Sequence, residues 1–446
     1  MIMFIDRQNE MQALINAVNS KKTELILIYG RRRVGKSRLL IEFAKKHNAL
    51  YLLADMSKNV LDILASQIRE EFVRFKDWED FFEFMYKSKY KIIIIDEFQY
   101  LYNTNKAWPS LLQRWWEKIK ETDKKIILCG SIISTIYKIS KGYGSALYGR
   151  KTMEMNIIPL KFRFIIDFYP NYNFEELINA YAVVGGIPRY LEEFDQSMSI
   201  EDNIRTKILN KTSFLYNEPI NLLFEEFRDP APYISIILAI TQGYVKFAEI
   251  ANASLIEGYK LPKYLSVLER VGIIEKDIPV TEKKIKTKIT RYKIRDNFYR
   301  FWFKFVYRNI STIELGLEDE VFNLIMKDFN AYIGTIFEDV CMEFILDSGV
   351  TLPTKIGKWW HKDREIDIVA LNEHTKEILF TECKWAENVN ANKILAELRE
   401  KAQFVDWYND KRKERYCIIA KSFKTRIPDV LLFDLKDIES SDFVQR

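Results

Sequence analysis

Short runs of consecutive apolar residues alternate with helical spacing through the first third of the chain. Residues 25–29 (LILIY), 92–95 (IIII) and 126–129 (IILC) read as strands buried on both faces, as in a parallel sheet. Apolar residues at helical spacing follow the first run, in LLIEFAKK. A further strand is expected over residues 152–157. Farther along, residues 233–241, 247–253 and 261–271 read as three helices. Pro262 sits in the first turn of the third, and Gly272 closes it. IIEKDIPV and KTKITRYKI then predict two strands joined by a charged turn. The aromatic segment 296–307 (DNFYRFWFKFVY) predicts a connector helix packed between domains, with a base-stacking platform as the alternative. In the last third, a helix carries Phe337-Glu338, and residues 365–371 and 378–385 read as the two strands of a hairpin.

The first apolar run ends in Gly30-Arg31-Arg32-Arg33-Val34-Gly35-Lys36-Ser37-Arg38. G-x-x-x-x-G-K-S between a strand and a helix is a phosphate-binding loop. Its N–H groups and the following helix N-terminus favour phosphate oxygens. Lys36 is expected on the β- and γ-phosphates and Ser37 on Mg²⁺. The strand 92–95 ends in Asp96-Glu97, where carboxylates face the ligand crevice of such a sheet. Asp96 suits the Mg²⁺ shell and Glu97 the polarisation of an attacking water. Ser131 follows the third strand, either to bond the γ-phosphate or that water, or to cap the next helix.

Residues 2–220 or so resemble the archaeal ATPase family within the AAA+ and STAND-like P-loop NTPases. The matching pieces are Phe4-x-Asp6-Arg7-x-x-Glu10, GRRRVGKS, IIIIDEFQY, LCGS, LYGR and Gly185-Gly186-Ile187-Pro188. The resemblance implies ATP and Mg²⁺ as cofactors, a helical lid, and Phe4, Arg7 and Pro188 near the adenine. It also implies that Arg150 occupies the place of an arginine finger acting on a neighbouring subunit, hence a homo-oligomer; a structural arginine is the alternative. Arg31, Arg32 and Arg33 are open to phosphate, partner or DNA contact, or to pairing with local acids.

Helix, helix, helix and hairpin over residues 223–300 is the order of a winged helix-turn-helix. Lys260 and Lys263 open its third helix. Lys276, Lys283, Lys284, Lys286, Lys288, Arg291, Lys293 and Arg295 make the hairpin basic, which suits DNA phosphates. Protein packing with lysine-guarded edges is the alternative.

If Leu371 and Ile378 flank the hairpin turn as partners, paired numbers sum to about 749, so Asp367 faces Glu382, with Lys384 on the same face. Adjacent carboxylates need a cation, and oxygen ligands of this kind suit Mg²⁺ or Mn²⁺. Glu338 is expected to complete the shell. The region resembles the PD-(D/E)xK nuclease fold, with Asp367, Glu382 and Lys384 matching D…ExK, and the nuclease-like domain commonly fused to archaeal ATPases. Ile366 stands where proline is often found. Trp359 and Trp360 are expected in the core or a wall. A salt-bridged hairpin and a nuclease-like fold that no longer cleaves are the alternatives.

The expected architecture is multidomain α/β. An ATPase with lid (1–222) precedes a winged helix (223–300), an aromatic connector (301–330) and a restriction-endonuclease-like α/β domain (331–446). The expected activity is ATP hydrolysis coupled to DNA binding and Mg²⁺-dependent DNA cleavage, with a signalling or scaffold ATPase as the alternative. Composition narrows this. Three histidines in 446 residues argue against a His-rich metal site or triad. Fifteen glycines, about half the usual ~7%, suggest that each cluster marks a backbone need. Four scattered cysteines, no long apolar run and an N-terminus without signal-peptide order suggest a cytoplasmic protein away from membranes. The net charge of +5 is too small to indicate nucleic acid by itself.

Overall fold

The computed structural model describes residues 5–68, 73–140, 145, 147–283 and 289–443. Phe4 and the hairpin residues Lys284, Lys286 and Lys288 lie outside the described residues. The chain divides into two compact units. One holds residues 1–159 with 187–189 and 222–228. The other holds 160–186, 190–221 and 229–446.

The first unit is built on five parallel strands: β1 (Glu24–Tyr29), β2 (Leu50–Leu53), β3 (Ile92–Asp96), β4 (Lys125–Gly130) and β5 (Met153–Asn156). Their order is β2-β3-β4-β1-β5. The isoleucine and leucine runs of β1, β3 and β4 are buried because helices cover both faces. The order places β4 between the glycine-loop strand β1 and the carboxylate strand β3. Residues at the carboxyl end of β4 therefore stand between the loop and Asp96-Glu97. The edge strand β2, only four residues long, had no counterpart in the sequence expectations.

In the second unit, three helices (Ala231–Thr241, Phe247–Ser254, Leu261–Arg270) precede an antiparallel hairpin, β6 (Ile274–Asp277) and β7 (Arg291–Ile294). A bridge between Lys246 and Arg291 joins the first inter-helix turn to β7. The aromatic segment is buried in helical turns: Phe298, Tyr299, Phe301, Trp302, Phe303 and Phe305 are all in the core. The Trp302 indole donates to Tyr216 O at 2.7 Å, so it packs and does not offer a stacking platform.

The second unit also carries a mixed sheet in the order β12-β11-β10-β9-β8. Its strands are β8 (Lys355–His361), β9 (Arg364–Asn372), β10 (Glu377–Lys384), β11 (Lys413–Ala420) and β12 (Leu431–Phe433). β8, β9 and β10 pair antiparallel, whereas β10, β11 and β12 pair parallel. The helix Ala391–Ala402 connects β10 to β11, and the long helix Glu318–Asp347 packs against β9 and β10. Leu371 pairs with Ile378 and Thr381 with Ile368, the register expected from the turn. Trp359 and Trp360 are buried, Trp359 in the core with Val280 and Ile366. All four cysteines are buried and free. No helix among the described residues is long and apolar enough to cross a membrane.

Candidate functional site

The glycine loop joins β1 to the helix Lys36–His47, and its shape follows from its glycines. A Cβ on Gly30 would lie 2.2 Å from Ile157 O, so only glycine allows this approach to the backbone after β5. Gly35 has φ +95° and starts the helix, and Arg33 is also left-handed at φ 69°. Lys36 is buried, and its ammonium donates to Gly30 O and Arg31 O, both at 2.8 Å. Burial pulls its pKa down, while Cys129, Glu97 and Asp96 act against that. The cation is thus poised inside the loop, where β- and γ-phosphate oxygens would replace carbonyls as its partners.

The expectations for the arginines separate. Arg7 is buried and braces the loop: its guanidinium donates to Val34 O (3.1 Å), Ile158 O (2.6 Å) and Glu10 (3.1 Å). These bonds tie the entry segment to the loop and to the backbone after β5. Arg32 pairs with Glu225 at 2.9 Å and donates to Tyr100 at 2.8 Å, which is the pairing with local acids. Arg38 lies 3.6 Å from Glu42 on its own helix. Arg150 follows a turn and lies 3.8 Å from Glu117. Pro188 begins a short helix, and residues 187–189 belong with the first unit.

At the ends of β3 and β4 the carboxylates are held by hydroxyl and amide groups. Ser131 Oγ donates to Glu97 Oε2 at 2.7 Å, and the Gln99 amide donates to the same oxygen. Ser131 is therefore a partner of the water-polarising candidate. Asp96 is wholly buried. Its Oδ1 accepts from Glu97 N at 2.9 Å and its Oδ2 from the Tyr51 phenol at 2.6 Å. Burial raises the Tyr51 pKa, Asp96 adds to this, and Ser37 works the other way. Tyr51 therefore stands beside both Asp96 and Ser37. Hard oxygen donors so placed fit Mg²⁺, which when bound would offset the β,γ-phosphate charge. Sequence reasoning missed Tyr51 and Gln99; the only signal for Tyr51 was the brief apolar run LYLL after the helix Lys36–His47.

In the mixed sheet, the register brings Asp367 beside β10, where its carboxylate accepts from Cys383 N at 2.9 Å. Lys384 Nζ lies 2.7 Å from Glu382 and 3.7 Å from Asp367, so the expected carboxylate–lysine group is assembled. Burial, then Glu382, raises the Asp367 pKa, and Lys384 opposes this. The Lys384 pKa is pushed up to about 12: Asp367 and Glu382 outweigh the effect of burial.

Glu338, expected to complete the metal shell, pairs with Lys358, and burial raises its pKa to about 7. No group of three His, Cys, Asp or Glu able to hold a metal exists among the described residues. Moreover, Glu382, 3% exposed, has a second lysine partner, Lys401 at 2.7 Å, which the sequence reading did not single out. Lys401 reaches the group from the helix nineteen residues beyond Glu382.

The basic hairpin is less free than its composition suggested. Lys276 pairs with Glu269 (2.6 Å), and Lys293 with Glu275 (3.0 Å) and Asp339 (3.3 Å). Arg291 pairs with Glu365 at 2.7 Å and lies over the Trp360 ring at 4.4 Å. Arg295 is 3.9 Å from Glu275. β7 therefore spends its cations on acids of its own unit.

A glycine loop, a buried lysine and an acidic strand end on this parallel sheet define a P-loop ATPase. The comparisons agree. Residues 4–194 match an ATPase domain predominantly from Archaea, and residues 302–394 match DUF234, described as Archaea bacterial proteins of unknown function. The chain belongs to the family of the uncharacterized protein MJECL04 of Methanocaldococcus jannaschii. The two are 38% identical over 448 residues, spanning 98% of this chain and 100% of that protein. The uncharacterized ATP-binding protein MJ0423 of the same organism is 45% identical over 42 residues, 9% of this chain and 71% of that protein. The Walker-type ATPase PABY2304 of Pyrococcus abyssi shares the fold at 20% identity with a TM-score of 0.51, over 68% of this chain and 96% of that one.

Proposed function

We propose that ATP binding and hydrolysis in the first unit control a DNA-directed module in the second, and that this module cleaves DNA with Mg²⁺ or Mn²⁺. The observation that carries the reading is the assembled group: Lys384 bridges two adjacent carboxylates, Asp367 and Glu382, on a mixed sheet. Asp367 and Glu382 would hold the metal, which would supply Lewis acidity toward a phosphodiester. Lys384 would stabilise charge on the phosphate oxygens. The three helices and hairpin support a winged helix-turn-helix reading, with the helix Leu261–Arg270 facing the major groove. Exposed Lys263 would contact phosphate, since the cations of β7 are already paired.

In the ATPase site, Glu97 would polarise the attacking water, Lys36 and the loop residues Gly30–Arg38 would hold the phosphates, and Ser37 with Asp96 would hold Mg²⁺. Arg150 would act as a finger in a homo-oligomer, and Pro188 would contact the adenine.

A second reading is favoured by the lysine partners of Glu382. Two ammonium groups already balance the two carboxylates, which suits a module that binds DNA or protein without cutting. Single- and double-stranded DNA incubated with the protein, Mg²⁺ or Mn²⁺, with and without ATP, separates the two. Cleavage lost in Asp367→Ala supports the first reading. Tight DNA binding without cleavage on any substrate supports the second.

A further inference from the structure

We propose that Tyr51 is the positioning residue for the metal ion at the ATP site. No motif points to it, because it lies on the edge strand β2, outside the glycine loop and the acidic strand end. Its phenol nevertheless reaches the carboxylate expected to hold Mg²⁺, donating to Asp96 Oδ2 at 2.6 Å.

A carboxylate with one oxygen held by Tyr51 and the other by Glu97 N cannot rotate, so its orientation is set before the metal arrives. Asp96 is fully buried, and the order of the sheet sets β2 next to β3 over the pair Leu53–Asp96. Tyr51 pairs with Ile94, two residues before Asp96, so its ring extends along the carboxyl end of the sheet to reach the carboxylate. The phenol supports the metal through Asp96.

The test uses the full-length protein and a binding readout in place of turnover. Mn²⁺ affinity of the ADP-saturated protein is followed by electron paramagnetic resonance, and ADP affinity without metal is measured by calorimetry in chelator. Tyr51→Phe keeps the ring and removes only the oxygen, and its thermal melt verifies the fold. Mn²⁺ affinity is expected to fall about tenfold, the usual scale for an outer partner of metal ligands. Metal-free ADP affinity is expected to stay unchanged. In an Asp96→Asn background, Tyr51→Phe is expected to add less than it does alone, since the two act on one group. Unchanged Mn²⁺ affinity, an equal loss in metal-free ADP binding, or full additivity with Asp96→Asn would each overturn the proposal.

Discussion

The hydroxyl of Ser131 donates a 2.7 Å hydrogen bond to Glu97 Oε2, joining the ends of two neighbouring strands at the nucleotide site. The proposed roles separate phosphate holding by Lys36 from water activation by Glu97. Lys36→Ala is expected to abolish nucleotide binding. Glu97→Gln is expected to keep ATP bound while turnover falls by about 10²–10⁴, the range for loss of a general base. Ser131→Ala is expected to lower kcat by a smaller factor with KM little changed. Nucleotide-binding assays beside steady-state hydrolysis check all three. Normal turnover by Glu97→Gln would remove its assigned role.

Gly186 packs directly against a backbone. A Cβ there would lie 1.9 Å from Leu160 O, and Leu160 N donates to Gly186 O at 2.7 Å. Gly186→Ala is expected to destabilise the second unit by about 1–3 kcal/mol, the scale of overpacking. Gly258, with open space around it, serves as the comparison: Gly258→Ala should leave the urea midpoint nearly unchanged.

Removing the negative charge of Glu382 leaves Lys384 and Lys401 without their shared partner. Because both lysines are partly exposed, solvent screens part of the loss, and Glu382→Gln is expected to cost on the order of 1–3 kcal/mol. Lys401→Met should cost less, since Lys384 still compensates the carboxylate. Equal destabilisation by the two in urea unfolding would argue against a shared ion cluster.

Glu343 gives stability a pH dependence of defined sign. It accepts from Phe162 N at 3.0 Å, and burial pushes its pKa up to about 7. The folded protein therefore binds this proton more tightly than the unfolded chain does. The favourable contribution is present below the unfolded carboxylate value and declines as pH rises toward about 7. Glu343→Gln is expected to flatten that decline between about pH 4.5 and 7, measured as the unfolding midpoint against pH. An unchanged slope would assign the effect elsewhere.

Arg150 lies 3.8 Å from Glu117 within its own chain, and its proposed role on a neighbour's ATP is open to a mixing experiment. Arg150→Ala alone should hydrolyse ATP poorly. Added to Lys36→Ala subunits, it should regain activity, because intact sites then meet intact fingers. Unimpaired hydrolysis by Arg150→Ala alone would end the finger reading.

Much of this protein was determined by local sequence. A glycine loop needs only consecutive residues and backbone freedom, so Gly30, Gly35, Lys36 and Ser37 declare their chemistry in one dimension. The Asp367 hairpin was also legible, because strand alternation and a short turn set its register. Partners contributed from distant elements were not legible. Tyr51 meets Asp96 only because β2 adds to the edge of β3, and Lys401 meets Glu382 only because a helix folds back over β10. The basic hairpin shows the reverse: its charge was plain in the sequence, but tertiary packing decided which acids take it up. Arg291 and Lys293 face Glu365 and Asp339 across large sequence separations. Local patterns encode backbone geometry, whereas ion pairs and hydrogen-bond partners are chosen by whichever side chains the fold brings within about 3 Å.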